Sequence, residues 1–229
     1  MKAYVILFFL SGFFFGFAQD STSVTIDDRY REDQFYASIT YNLLSNNPSA
    51  ISSNGFSTGY HFGFLRDMPI NLRRNWSIGL GLGISTNSYN SNLIIIEDNN
   101  TVNFQEQNSS FGDVSKSKFT TYLIDIPLEI RWRTSTTTSY KFWRIYSGFK
   151  LSYLVYNSTK LRSELKDQNL SNLDIFNRFQ YGLTLSAGYG TWNFHAYYGL
   201  NEIFDNTATL NGTAINSQAL RIGLIFYIL

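Results

Sequence analysis

The residues most able to do chemistry are two histidines, one serine and a set of charges spaced two apart. His61 and His195 are the chain's only histidines, and a hydrolase would need one of them beside a hydroxyl nucleophile and a carboxylate. Ser186 lies on the run neighbouring that of His195. Serine is so frequent in this chain that such adjacency carries little weight. The charges are more regular: Asp125, Glu129 and Arg131 share one parity, Arg144 and Lys150 share one in the following run, and Arg221 sits in the last run. Charges confined to one face of successive strands suit ion pairing inside a narrow barrel better than an ion or substrate path. A hairpin turning at Thr134 to Tyr140, with Trp132 pairing near Trp143, sets Asp125 opposite Lys150 and brings Glu129 near Arg144. Arg131 and Arg221 are further members of the expected structural network.

Other site chemistries lack their spacing. There is no HExxH, Walker or paired-histidine pattern. Gly79, Gly81 and Gly83 follow the period of a strand face, with no helix after them, and so do not form a nucleotide loop. Asp98 and Asp205 fall in loops without a calcium-ligand pattern. No cofactor or metal site is expected, and no catalytic residue.

The elements that position these residues follow from period-two alternation. Leu220, Ile222, Leu224, Phe226 and Ile228 share one face of the last run, opposite Arg221, Gly223, Ile225 and Tyr227. Trp192, Phe194, Ala196 and Tyr198 oppose Asn193, His195 and Tyr197. Phe179 through Tyr189 sets apolar residues against Gln180, Gly182, Thr184, Ser186 and Gly188. Tyr122, Ile124, Ile126, Leu128, Ile130 and Trp132 oppose Asp125, Pro127, Glu129 and Arg131. Trp143, Ile145, Phe149, Leu151, Tyr153 and Val155 oppose Arg144, Tyr146, Lys150 and Ser152. Runs at Trp76 to Ile84, Phe35 to Leu44 and Phe56 to Leu65 bring the expected number to eight.

The connections alternate between long and short. Long ones cover Ser45 to Gly55, Ser85 to Lys118, Asn157 to Asn177 and Asn201 to Ser217; short ones cover Asp67 to Asn75, Thr134 to Tyr140 and the region of Gly190. Short turns on one side and long loops on the other are the pattern of an outer-membrane barrel. The long loops are rich in Asn, Ser and Thr, as solvated loops should be, while Leu93 to Ile96 is apolar enough to extend strands beyond the membrane. Trp76, Trp132, Trp143 and Trp192 stand beside the short turns, where an interfacial girdle belongs.

Composition agrees. The 229 residues are 44% hydrophobic, 17% aromatic and 15% charged, with net charge +1 and no cysteine. Disulfides and thiolate sites are thereby excluded, and no basic face exists for nucleic acid. Residues 1–18 read as a cleaved signal peptide with an apolar run and small residues Gly16 and Ala18. Residues 19–34 then form a short periplasmic segment and 35–229 the barrel. The fold class expected is all-β: an eight-stranded antiparallel transmembrane β-barrel. Its expected partners are outer-membrane lipid and the barrel-assembly machinery, since Arg221 to Ile228 is similar to the C-terminal signal that machinery reads.

Several segments carry a more specific likeness: Arg31-Glu-Asp-Gln-Phe-Tyr36, Phe64-Leu-Arg-Asp-Met-Pro-Ile-Asn71, Ile126-Pro-Leu-Glu-Ile-Arg-Trp-Arg-Thr134, Tyr140-Lys-Phe-Trp-Arg-Ile-Tyr146, Leu185-Ser-Ala-Gly-Tyr189 and Ile222-Gly-Leu-Ile-Phe-Tyr-Ile-Leu229. With these the chain resembles the PorT family of outer-membrane barrels. The resemblance implies a non-enzymatic role in assembly or operation of type IX protein secretion, and of gliding motility where present, in contact with other secretion components. Contacts are expected at the short turns, through Arg66, Asp67, Arg73 and Arg74 on one side and Arg133 and Lys141 on another. The competing expectation is a general small barrel acting in adhesion through its outer loops or in passive transport through its lumen.

Overall fold

The computed structural model describes residues 33–98, 101–134 and 142–228. The expected signal peptide, most of the periplasmic segment, Lys141 and the tip of the Thr134 to Tyr140 turn lie outside them. Thirteen strands are present among the described residues: β1 (Gln34–Ser45), β2 (Thr58–Pro69), β3 (Trp76–Asn90), β4 (Leu93–Asp98), β5 (Thr101–Glu106), β6 (Val114–Arg133), β7 (Trp143–Ser163), β8 (Asp167–Ser171), β9 (Phe179–Tyr189), β10 (Trp192–Glu202), β11 (Thr209–Leu210), β12 (Thr213–Ala214) and β13 (Gln218–Ile228). Eight of them, β1, β2, β3, β6, β7, β9, β10 and β13, pair antiparallel in that order, and β1 closes on β13. Closure leaves the spanning sheet without an open edge, which is what a β-structure in lipid requires.

The expected faces hold and are inverted relative to a soluble barrel. Leu82 and Ile84 on the outer face are 61% and 62% exposed, whereas inward-facing Asp67 and Arg131 are 0% exposed. A continuous apolar belt of this kind would aggregate in water and is stable against lipid tails. Aromatic pairs bound the belt. Trp143 with Tyr189 and Trp192 with Phe226 flank the short turns; Tyr41 with Phe56 and Tyr122 with Tyr156 lie toward the long loops.

Three features depart from expectation. First, β2 runs to Pro69, so Asp67 belongs to a strand and points inward rather than sitting in a turn. The alternation of Phe62, Phe64, Arg66 and Met68 on the outer face simply continues until proline, which has no N–H to donate, ends the ladder. Second, β6 and β7 pair with Trp132 opposite Ile145, two residues from the expected register, and Thr134 closes the hairpin on Trp143. A slip of two keeps every side chain on its face but changes its neighbour.

Third, the long connections are not simply solvated loops. β6 and β7 are 20 and 21 residues long, about twice the 9–11 residues a tilted strand needs to cross the bilayer. Their upper halves therefore rise beyond the hydrocarbon core. The expected apolar segment Leu93 to Ile96 forms β4, paired with β5. Ile51, Leu93, Ile95, Phe176, Ile203, Phe204, Leu210 and Ile215 from the connections pack on Tyr89, Phe119, Leu123, Leu154 and Tyr197 of the barrel wall. Asn, Ser and Thr in these segments cover a second hydrophobic core that caps the lumen.

Glycines on the lumen face make room for large side chains. A Cβ added to Gly182 would stand 2.6 Å from Tyr197 Cζ, closer than packed carbons approach. Gly182→Ala should therefore cost about 1–3 kcal/mol by overpacking, seen as a lowered urea midpoint of the barrel refolded in micelles. At Gly190, φ is +58°, a left-handed conformation that glycine adopts without steric cost, and it makes the tight β9–β10 turn.

Candidate functional site

The lumen gathers every charged residue of the expected network, together with partners that the pattern of charges did not reveal. Its centre toward the short turns is the Asp67 carboxylate. Arg131 Nη1 lies 3.0 Å from one Asp67 oxygen and Arg133 Nη2 2.9 Å from the other. Ser77 Oγ donates to the first oxygen at 2.6 Å. Arg131 also donates through Nη2 to Gln34 Oε1 at 2.7 Å, and its Nε lies 3.3 Å from Glu129 Oε2. Arg133 Nε donates to the carbonyl of Arg74 at 3.1 Å, tying the network to the β2–β3 turn. The Asp67 N–H in turn donates to Asp33 Oδ1 at 2.8 Å.

Deeper in the barrel, Lys150 Nζ lies 3.6 Å from Asp125 Oδ2 and Ser152 Oγ donates to Asp125 Oδ1 at 2.6 Å. The expected Asp125–Lys150 pair thus forms, though Lys150 stands opposite Pro127 in the ladder. Its long side chain spans the diagonal that the two-residue slip creates. The expected Glu129–Arg144 contact is replaced. Glu129 turns to Arg131 on its own strand, and the Arg144 guanidinium stacks 4.5 Å from the Phe142 ring centroid.

Charge balance explains a role for tyrosine. Among the described residues the buried lumen holds three carboxylates, Asp67, Asp125 and Glu129, against five cations, Arg131, Arg133, Arg144, Lys150 and Arg221. Aromatic faces receive the surplus. Arg221 sits 4.4 Å and Lys150 4.8 Å from the centroid of Tyr197, and Arg131 sits 4.3 Å from that of Tyr146. Arg221 is therefore not an ion-pair member as expected: its Nε donates to Tyr89 Oη at 3.0 Å. In a desolvated interior such contacts are worth about 2 kcal/mol each. Parity had already placed Tyr146, Tyr197 and Tyr227 on the lumen face; only packing shows which cation each receives.

The histidines occupy the middle of this stack. Ser186 Oγ and His195 Nδ1 are 2.8 Å apart, and His61 shares Nε2 with Thr40 Oγ1 at 3.2 Å while its Nδ1 is 3.9 Å from Asp125. Both histidines and Ser186 are buried. The cavity beside them, lined by Tyr36, His61, Glu129, Lys150 and His195, measures about 20 Å³, room for a single water. Ser186 is 2% exposed, and its hydroxyl and the His195 imidazole satisfy one another as buried polar groups.

The short-turn residues separate into two groups. Asp67 and Arg133, expected as docking charges, are buried in the lumen, where they pair with one another. Arg66 and Arg73 are exposed, and Arg74 is half-exposed. Asp205, in the last long connection, accepts the N–H of Thr207 at 2.8 Å and so caps a turn; among the described residues no three His, Cys, Asp or Glu side chains come together as metal ligands.

No curated protein matches the chain. Among solved structures, Ail, the attachment invasion locus protein of Yersinia pestis, in complex with the heparin analogue sucrose octasulfate, is similar at 10% identity and a TM-score of 0.30, over 86% of this chain and 99% of Ail. A second Ail structure, from the same organism, is similar at 11% identity and a TM-score of 0.28, over 85% and 97%. The family model described as outer membrane protein beta-barrel domain matches residues 17–205. With a closed eight-stranded wall, an apolar outer belt and that match over most of its length, the chain belongs to the outer membrane protein beta-barrel domain family and resides in the outer membrane.

Proposed function

We propose that this barrel is a non-enzymatic component needed to assemble or operate the type IX protein secretion system, and that it docks other components through its short-turn end. The observation that carries the reading is where the PorT-like segments meet. Gln34 and Tyr36, Asp67, Glu129, Arg131 and Arg133, Arg144 and Tyr146, and Tyr227 come from five of those six segments, and they form the buried clamp at that end of the lumen. The clamp anchors the β2–β3 turn through the Arg74 carbonyl. That turn presents Ile70, fully exposed Leu72 and Arg73 outward. An exposed arginine on a turn tied to the clamp suits a protein contact.

Passive transport is disfavoured by a lumen packed with paired side chains. Adhesion through the outer loops is the second reading, supported by the cap that the long connections build on their own hydrophobic core. Deleting the gene and following type IX cargo tests the first reading. Cargo should accumulate in the periplasm and return to the medium with a complementing copy. L72D/R73E should fail to complement while still yielding a folded barrel of heat-shifted gel mobility, whereas exchange of the outer loops should complement fully. Unchanged export on deletion would sink the secretion role.

A further inference from the structure

Above the outer aromatic belt, β6 and β7 carry four cations in two directly opposed pairs: Lys118 faces Lys160 and Lys116 faces Arg162. A β-bulge creates this alignment. Tyr122 pairs with Tyr156 but Leu123 pairs with Leu154, so Val155 is an extra residue. Below it the odd residues of β7 face outward; above it Tyr156, Ser158, Lys160 and Arg162 do. Without the bulge, Leu161 would point outward and Lys160 into the cap, where Leu161 now packs with Ile94, Ile96 and Phe111.

Like charges directly opposed across a ladder repel. Among the described residues no carboxylate lies within ion-pair distance of any of the four. A fold that places four cations together without an internal counter-charge calls for an external one. The place is specific. The ladder begins two outward positions above the Tyr122–Tyr156 ring pair, past Thr120 and Ser158 on the same outward face, which sets it just beyond the aromatic girdle, at the level of the outer headgroups. Beside it lies a concavity of about 230 Å³, lined by Asn54, exposed Phe56, Asn90, Gln107 and Lys116. Amide side chains there suit sugar hydroxyls, and Phe56 offers an apolar face next to the acyl region.

We propose that this cationic ladder and its adjoining concavity seat the phosphorylated sugar headgroup of an outer-leaflet glycolipid. The lysine and arginine stems lie along the wall and their charged ends reach the phosphates. A soluble polyanion would be met first by the tips of the outer loops; this face looks sideways, into the leaflet.

The test is titration of the purified full-length mature chain, in neutral detergent, with bisphosphorylated lipid A, its dephosphorylated form, and a soluble sulfated polysaccharide. Binding is read by native mass spectrometry. Lipid A should bind the wild type, and K118Q/K160Q should weaken it about twenty-five-fold, since each cation near an anionic surface contributes about a factor of five. The dephosphorylated form should bind as weakly to the wild type as lipid A does to the variant. K116Q/R162Q, altered at exposed positions, serves as a second variant with the same expected loss. Unchanged lipid A binding by variants of normal gel mobility, or equal binding of the dephosphorylated form, would overturn the proposal. Polysaccharide binding that depends on the four cations, without lipid A binding, would overturn it as well.

Discussion

Replacing Asp67 with asparagine should destabilise the barrel by about 3–5 kcal/mol, the cost of leaving buried charge without its partner. Both arginines that Asp67 holds are fully buried, so neither can turn to water. The amide is nearly the same size as the carboxylate, so the loss is one of charge and not of packing. It keeps one acceptor for Ser77 or one guanidinium, and its NH₂ group faces a donor. The effect should appear as a lowered urea midpoint and a lower temperature for the gel-mobility shift of the refolded protein. The informative control is D67N/R133M, which removes one surplus cation while preserving much of the side-chain volume. It should recover part of the loss, because Arg131 retains Gln34, Glu129 and the Tyr146 face. Wild-type stability in D67N would show that the arginines are satisfied by other groups and that the clamp is not electrostatic.

Phe204→Ala should have an effect of similar size confined to the cap. Phe204 is fully buried and its ring lies 5.1 Å from Phe119, 5.2 Å from Phe176 and 5.6 Å from Phe104. It therefore ties the last connection to the wall, to the β8–β9 connection and to the β4–β5 hairpin. Truncation of such a ring costs about 3–5 kcal/mol. Local opening draws on local stability, so the expected result is faster proteolysis and amide exchange across 91–113, 172–178 and 203–217, with the spanning strands unchanged. A uniform change in the spanning strands would mean that cap and barrel unfold together.

These two predictions concern residues that the sequence revealed to different degrees. Alternation placed Asp125, Glu129, Arg131, Arg144, Lys150 and Arg221 on the lumen face, because a strand's period of two is a local property of its backbone. It also supplied the strand number, the belt and its tryptophans. Asp67 was lost to a turn because Asp, Pro and Asn nearby are turn formers, although the parity of Phe64 and Met68 carries the strand past it. Asn- and Ser-rich connections hid Phe204 in the same way: composition reports the surface of a loop and not the few residues it buries.

In the spanning runs where alternation is unbroken, which face each residue takes, and that the outer face is apolar, the sequence determined by itself. Partners were decided only by the tertiary structure. A two-residue slip or a single bulge leaves composition untouched, yet the slip exchanges Arg144's carboxylate for aromatic rings and the bulge brings Lys160 beside Lys118. Register is set by the summed packing and closure of eight strands, and that sum is not written in any one of them.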